Sequence, residues 1–114
     1  MIAVIFEFTP AEGRRQEYLD MTVKLRVELE KAEGFISIER FESLTHPGKM
    51  VSLSFWRDEE AVRKWRNVEL HREAQAKGRG GVFSSYRLWV AEVMRDYSMS
   101  DRAQAPGDSV AVHG

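Results

Sequence analysis

Apolar residues recur along this chain with a strand-like period in four stretches and a helical period in two. The order is strand, helix, strand, strand, helix, strand. Ile2 to Phe8 is rich in Ile, Val and Phe, which suit a strand, and Thr9-Pro10 stops it. From about Glu12 to Ala32, Tyr18, Met21, Leu25 and Leu29 recur at three and four, with Leu19 on the same side. Arg, Glu, Asp and Lys fill the other side, which predicts one amphipathic helix, and Gly34 stands where a C-terminal glycine belongs. Phe35 to Glu42 alternates, with Ile36 and Ile38 on one face and Phe35, Ser37, Glu39 and Phe41 on the other. His46-Pro47-Gly48 is turn chemistry. Lys49 to Trp56 returns with Val51, Leu53 and Phe55 opposed to Met50, Ser52, Ser54 and Trp56.

Asp58 is a candidate N-cap for a short second helix that turns Ala61, Val62 and Trp65 inward. Asn67-Val68 is expected to interrupt it before a second helical piece, Glu69 to Ala76. The glycine-rich Gly78 to Gly81 ends helical structure. It lacks the preceding strand and following Lys-Ser/Thr of a phosphate loop, so it reads as a flexible connection. Tyr86 to Asp96 forms the last strand, with Leu88 and Val90 against Trp89, Ala91 and Val93. After Tyr97 the composition loses aromatic residues and period, and residues 98–114 read as a mobile tail behind a domain of residues 1–97.

Two successive β-α-β units of this kind predict an α+β, ferredoxin-like split β-α-β fold: a four-stranded antiparallel sheet with two helices on one face. Ile36, Ile38, Val51, Leu53 and Phe55 are then expected beneath the helices, leaving Phe35, Phe41, Met50 and Trp56 on the open face. Several large apolar groups in one exposed patch are uncommon for a soluble monomer. Each is worth ~1.5–3 kcal/mol when buried, so pairing of open faces in a homodimer is expected.

Composition narrows the partners. A length of 114 residues suits one domain, and 43 % hydrophobic with 31 % charged residues is ordinary globular chemistry. A net charge of −1 offers no basic field for nucleic acid or an anionic membrane. There is no cysteine, hence no disulfide, thiolate metal site or cysteine nucleophile. The apolar N-terminus lacks a basic leader and no run approaches a membrane span, so a cytoplasmic location is the expectation.

The stretch GFISIERFESLTHPGKMVSLSFW, the Trp-bearing helix, HREAQ and the final VMRDY resemble the antibiotic biosynthesis monooxygenase (ABM) superfamily. The resemblance runs from Met1 to about Tyr97. It implies a dimeric α/β barrel in which two sheets face each other. It identifies activity poorly, because members include cofactor-independent oxygenases of aromatic polyketides, quinol oxygenases, haem-degrading oxygenases and signal-processing proteins.

Candidate site residues carry two readings each. Trp65 suits a core aromatic; it also resembles the tryptophan that haem-degrading relatives place over their ligand. Those relatives add a histidine ten residues later and an asparagine on the first strand, where this chain has Gln75 and no asparagine at all between Ile2 and Phe8. Glutamine is a poor iron ligand, so haem is expected to bind weakly or not at all, and no cofactor or metal is expected. His71 shares a helix face with Gln75 and is either a solvated histidine or a base for a phenolic substrate. Glu39 is either a salt-bridge partner of Arg40 or Arg87 at a dimer seam, or an interior carboxylate whose burial raises its pKa towards that of a useful base. Ser37, Ser52 and Ser54 against the walls of Phe35, Trp56 and Trp65 leave space for a ligand. The pocket is expected within each subunit, between the open sheet face and the helices carrying Trp65 and His71, and not at the glycine-rich loop. Three functions follow: a cofactor-independent monooxygenase using O₂ on an aromatic, quinol-like or polyketide-like molecule, a non-catalytic dimeric barrel that binds a small apolar molecule, or, through His71 alone, a haem-handling relative.

Overall fold

The computed structural model describes residues 1–77 and 81–113, with side-chain detail outside 69–77. Strands β1 (Ile2–Pro10), β2 (Phe35–Glu42), β3 (Met50–Trp56) and β4 (Phe83–Glu92) alternate with helices α1 (Arg15–Lys31) and α2 (Glu59–Lys77), and α3 (Gly107–His113) follows. The strands form one antiparallel sheet in the order β2-β3-β1-β4, the ferredoxin-like arrangement.

Local chemistry sets the ends of the helices. The Ala61 amide donates to Asp58 Oδ1 at 2.9 Å, which caps α2. That bond, and then Arg57, hold the Asp58 carboxyl below the usual aspartate range. Gly34 has φ of +81°, and a Cβ placed there would lie 2.5 Å from that of Ala61. Glycine is therefore required twice over, by backbone sign and by the close approach of α2. Helix α2 runs unbroken through Asn67-Val68, against the expected interruption. The Asn67 side-chain amide donates back to the Arg63 carbonyl at 3.1 Å, and valine is only a mild helix breaker.

The helices cover the sheet face that carries Val4, Phe6, Ile38, Arg40, Ser52, Ser54 and Trp56. This reverses the face expected for β3. Met50 and Trp56 lie beneath the helices, while Val51, Leu53 and Phe55 lie on the uncovered face with Ile5, Phe41 and Trp89. Ile36 is exposed and Phe35 packs inward against Trp56, because a bulge between Phe35 and Ser37 shifts the register there. Of the four large residues expected on the open face, Phe41 alone is there. Alternation gives the period of a strand but not the sign of its faces.

Beneath the helices the core divides into two clusters. One is built on Phe8, Tyr18, Met50 and Val82, the other on Leu29, Trp56, Ala61 and Val62. Strand β3 crosses from the first to the second as Met50, Ser52, Ser54, Trp56: large, small, small, large. Its two serines lie in the gap between the clusters, and that gap is the cavity described below.

The uncovered face keeps its apolar side chains only partly shielded. The radius of gyration is 16.8 Å, against about 13 Å for a compact chain of this length. After Tyr97 the chain has more local order than its composition implies. The Asp96 amide donates to Gln104 Oε1 at 2.8 Å, and α3 follows, though none of its residues is buried. Among the described residues no helix is long and apolar enough to cross a membrane.

Candidate functional site

Between the helices and the sheet lies a cavity of about 280 Å³, just below the roughly 300–1,000 Å³ usual for small-molecule sites. Its floor is β1 and β3, with Ser52 and Ser54 leaving the volume; its roof is α1 (Met21, Leu25) and α2 (Val62, Trp65). Trp56 and Trp65 stack at one end with ring centroids 6.1 Å apart. Trp56 is 1 % exposed, and its indole N–H donates to Ser54 Oγ at 2.9 Å. Ser52 is also buried, and among the described residues its hydroxyl makes no hydrogen bond, so it remains available to a ligand. At the other end Arg40 Nε donates to Tyr18 Oη at 3.2 Å. Exposed lining residues, Arg66 on α2 and Tyr86, Leu88 and Val90 on β4, mark where the cavity opens to solvent.

The sequence-derived candidates divide between the two faces of the sheet. Trp65, Trp56, Ser52 and Ser54 meet in the cavity. Ser37 and Glu39 are exposed on the opposite face, paired in register with Phe55 and Leu53, and do not line this cavity. Phe35 does not line the cavity either; it braces Trp56 edge-on at 5.3 Å between centroids. Glu39 makes no ion pair with Arg40 or Arg87 among the described residues, and Arg87 instead lies over the Trp89 ring at 4.3 Å. No described carboxylate lines the cavity at all. His71 falls within α2, but its side chain, like that of Gln75, lies outside the described residues. So does most of the glycine-rich loop; its last residue, Gly81, borders the cavity, closer to the site than expected, and its carbonyl accepts from Arg14 Nη1 at 2.8 Å.

Tyr18, Arg40 and Arg66 were not expected in the site. The signal for Arg40 was present, since it is in phase with Ile38, the one β2 residue rightly placed under the helices. Tyr18 read only as an apolar helix position, and Arg66 as part of a solvated helix side.

A sequence model of the antibiotic biosynthesis monooxygenase family matches residues 1–77. The chain belongs to that family. A curated relative, "Jasmonate monooxygenase ABM" of Pyricularia oryzae, is 46 % identical over 93 residues, which is 82 % of this chain and 43 % of the relative. The chain spans about half the length of the curated relatives it matches. Among solved structures, the ABM fold seen here is shared with SnoaB, a cofactor-independent oxygenase from Streptomyces nogalater (TM-score 0.66, 14 % identity, 83 % of this chain and 94 % of that one). It is shared equally with MhuD, a haem degrader from Mycobacterium tuberculosis with two haems bound in its active site (TM-score 0.62, 19 % identity, 86 % and 100 % coverage). At such identities the likeness is one of fold.

Haem does not fit the described residues well. No imidazole or thiolate is among the described cavity-lining side chains, and the volume suits a molecule of one or two rings rather than a porphyrin. Among the described residues there is also no group of three His, Asp or Glu that could hold a metal ion.

Proposed function

We propose that this ABM-family chain is a monooxygenase that oxidises a small cyclic or aromatic molecule in the cavity beneath its helices, drawing the electrons from the substrate itself. The observation that carries the reading is the cavity: an apolar chamber between two core clusters, walled by Trp56 and Trp65 and lined by the hydroxyls of Ser52, Ser54 and Tyr18. Family membership and the name of the 46 % identical relative support oxygenase chemistry.

Cofactor-free oxygenation needs an acidic C–H or O–H in the substrate. A base removes the proton, the resulting anion passes an electron to O₂, and the radical pair joins to a peroxide. For a methylene beside a phenol or enol, loss of water then leaves a carbonyl, so that CH₂ and O₂ become C=O and H₂O. Excluding bulk water favours each charged stage, and fixed donors hold the oxyanion. Ser52 and Tyr18 are the donors we assign to that task, and His71 the base. The working unit is a homodimer closed over the uncovered sheet faces, through Ile5, Phe41, Val51, Leu53, Phe55 and Trp89.

Oxygen consumption by the purified protein, with quinols, phenols and jasmonate supplied in turn, tests the reading. Saturable, stoichiometric uptake with at least one of them is the expected result; tight binding without uptake favours a barrel that only sequesters its ligand. In a parallel titration haem should give no sharp Soret shift. A stoichiometric shift that disappears in His71→Ala would reverse the judgement on haem.

A further inference from the structure

Several surface cations are already paired. On the solvent sides of the helices, Arg15 holds Glu42 at 2.7 Å and Arg26 holds Glu30 at 3.2 Å, while Arg63 pairs closely with Glu60. Arg40 and Arg66 line the cavity, and neither forms an ion pair among the described residues. Arg40 is half-buried, and its one hydrogen bond to a described residue is the Nε–H to Tyr18. That bond fixes the guanidinium plane through a side chain only 4 % exposed and leaves the two terminal nitrogens uncommitted.

A guanidinium at the wall of an apolar chamber costs free energy unless a counter-charge meets it. Among the described residues none does, since no carboxylate of theirs lines the chamber. A planar fork of N–H donors matches a carboxylate with two parallel bonds. We propose that the natural ligand of the cavity is an amphipathic anion, an apolar ring or chain bearing a carboxylate, whose head is held by Arg40, while the exposed Arg66 at the mouth adds a longer-range positive charge. The body of such a ligand lies over Ser52 and Ser54 towards Trp56 and Trp65. The proposal rests on reading this cavity as the ligand site, but not on the chemistry performed there.

The test is a binding comparison that needs no turnover. 4-Cyclohexylbutyrate and its methyl ester differ in charge at one end and little else. Their affinities are measured near neutral pH by calorimetry and by the fluorescence of the cavity tryptophans. The acid should bind about 10- to 100-fold more tightly than the ester, the range of a charge-assisted hydrogen-bonded pair. Arg40→Gln should erase most of that preference while leaving ester affinity within a few-fold, and Arg66→Gln should reduce it by a smaller factor. If Arg40→Gln loses its far-UV dichroism, Arg40→Met, which keeps an apolar stem in the wall, replaces it. Equal affinity for acid and ester in the wild type overturns the proposal, as does a preference that survives loss of each guanidinium. Arginine-dependent acid binding without oxygen uptake would leave this inference standing and remove the oxygenase reading. Uptake with neutral substrates and no acid preference would do the reverse.

Discussion

Replacing Leu53 by glutamate should convert the protein from a dimer to a folded monomer. Leu53 lies in the middle of the uncovered sheet face, between Ile5 of β1 and Glu39 of β2, and belongs to neither core cluster beneath the helices. In the proposed dimer this face becomes the seam of a second core, and symmetry places two copies of each change in it. A carboxylate there is desolvated without a partner and stands beside the Glu39 carboxylate. The expected loss is on the order of 10²–10³ in dimer affinity or more, read by sedimentation at micromolar concentration. The far-UV spectrum should be retained, because each subunit keeps both of its own clusters. An interface of on the order of 2,000 Å² is expected for such a pairing. A wild-type protein that sediments as a monodisperse monomer would refute the pairing of sheet faces.

Turnover should fall by 10²–10⁴ in His71→Ala, the range for loss of a positioned acid or base, with ligand affinity and dimer little changed. Glu39→Gln is the contrasting variant. Its carboxylate is exposed on the face away from the cavity, so removing the charge should leave turnover within a few-fold of wild type. If Glu39→Gln loses activity and His71→Ala keeps it, chemistry occurs at the sheet seam and the cavity assignment fails. If neither matters while ligand still binds, the protein is a binder. The comparison is sharp because no carboxylate among the described residues lines the cavity and could take over as base.

Much of the fold was legible in the sequence because its signals are local. The three-four spacing of Tyr18, Met21, Leu25 and Leu29 gave α1 its inward side, and all four line the cavity. Asp58 and Gly34 marked the start of one helix and the turn after another, each by a requirement visible in the residue itself. Trp56, Trp65, Ser52 and Ser54, picked out as a constellation of large walls and small floor, line the cavity. Glu39, Ser37 and Phe35 do not, and Arg40, which does, was not among the candidates.

The chain by itself determined the order of elements, the two-helix, four-strand arrangement and the family, because period, caps and turns act over a few residues. It did not determine which face of β3 the helices cover. Val51, Leu53 and Phe55 make one face more apolar than the other, and in a self-contained subunit that face would be the core. The tertiary structure puts Met50, Ser52, Ser54 and Trp56 there instead. The helices fill the two ends of the sheet with large side chains and leave the middle to two serines, so that apolar burial and an interior cavity coexist. The inward turn of Phe35 was likewise decided by a bulge, which no alternation pattern can announce. Period is a property of the strand, whereas the sign of a face is fixed by what packs against it.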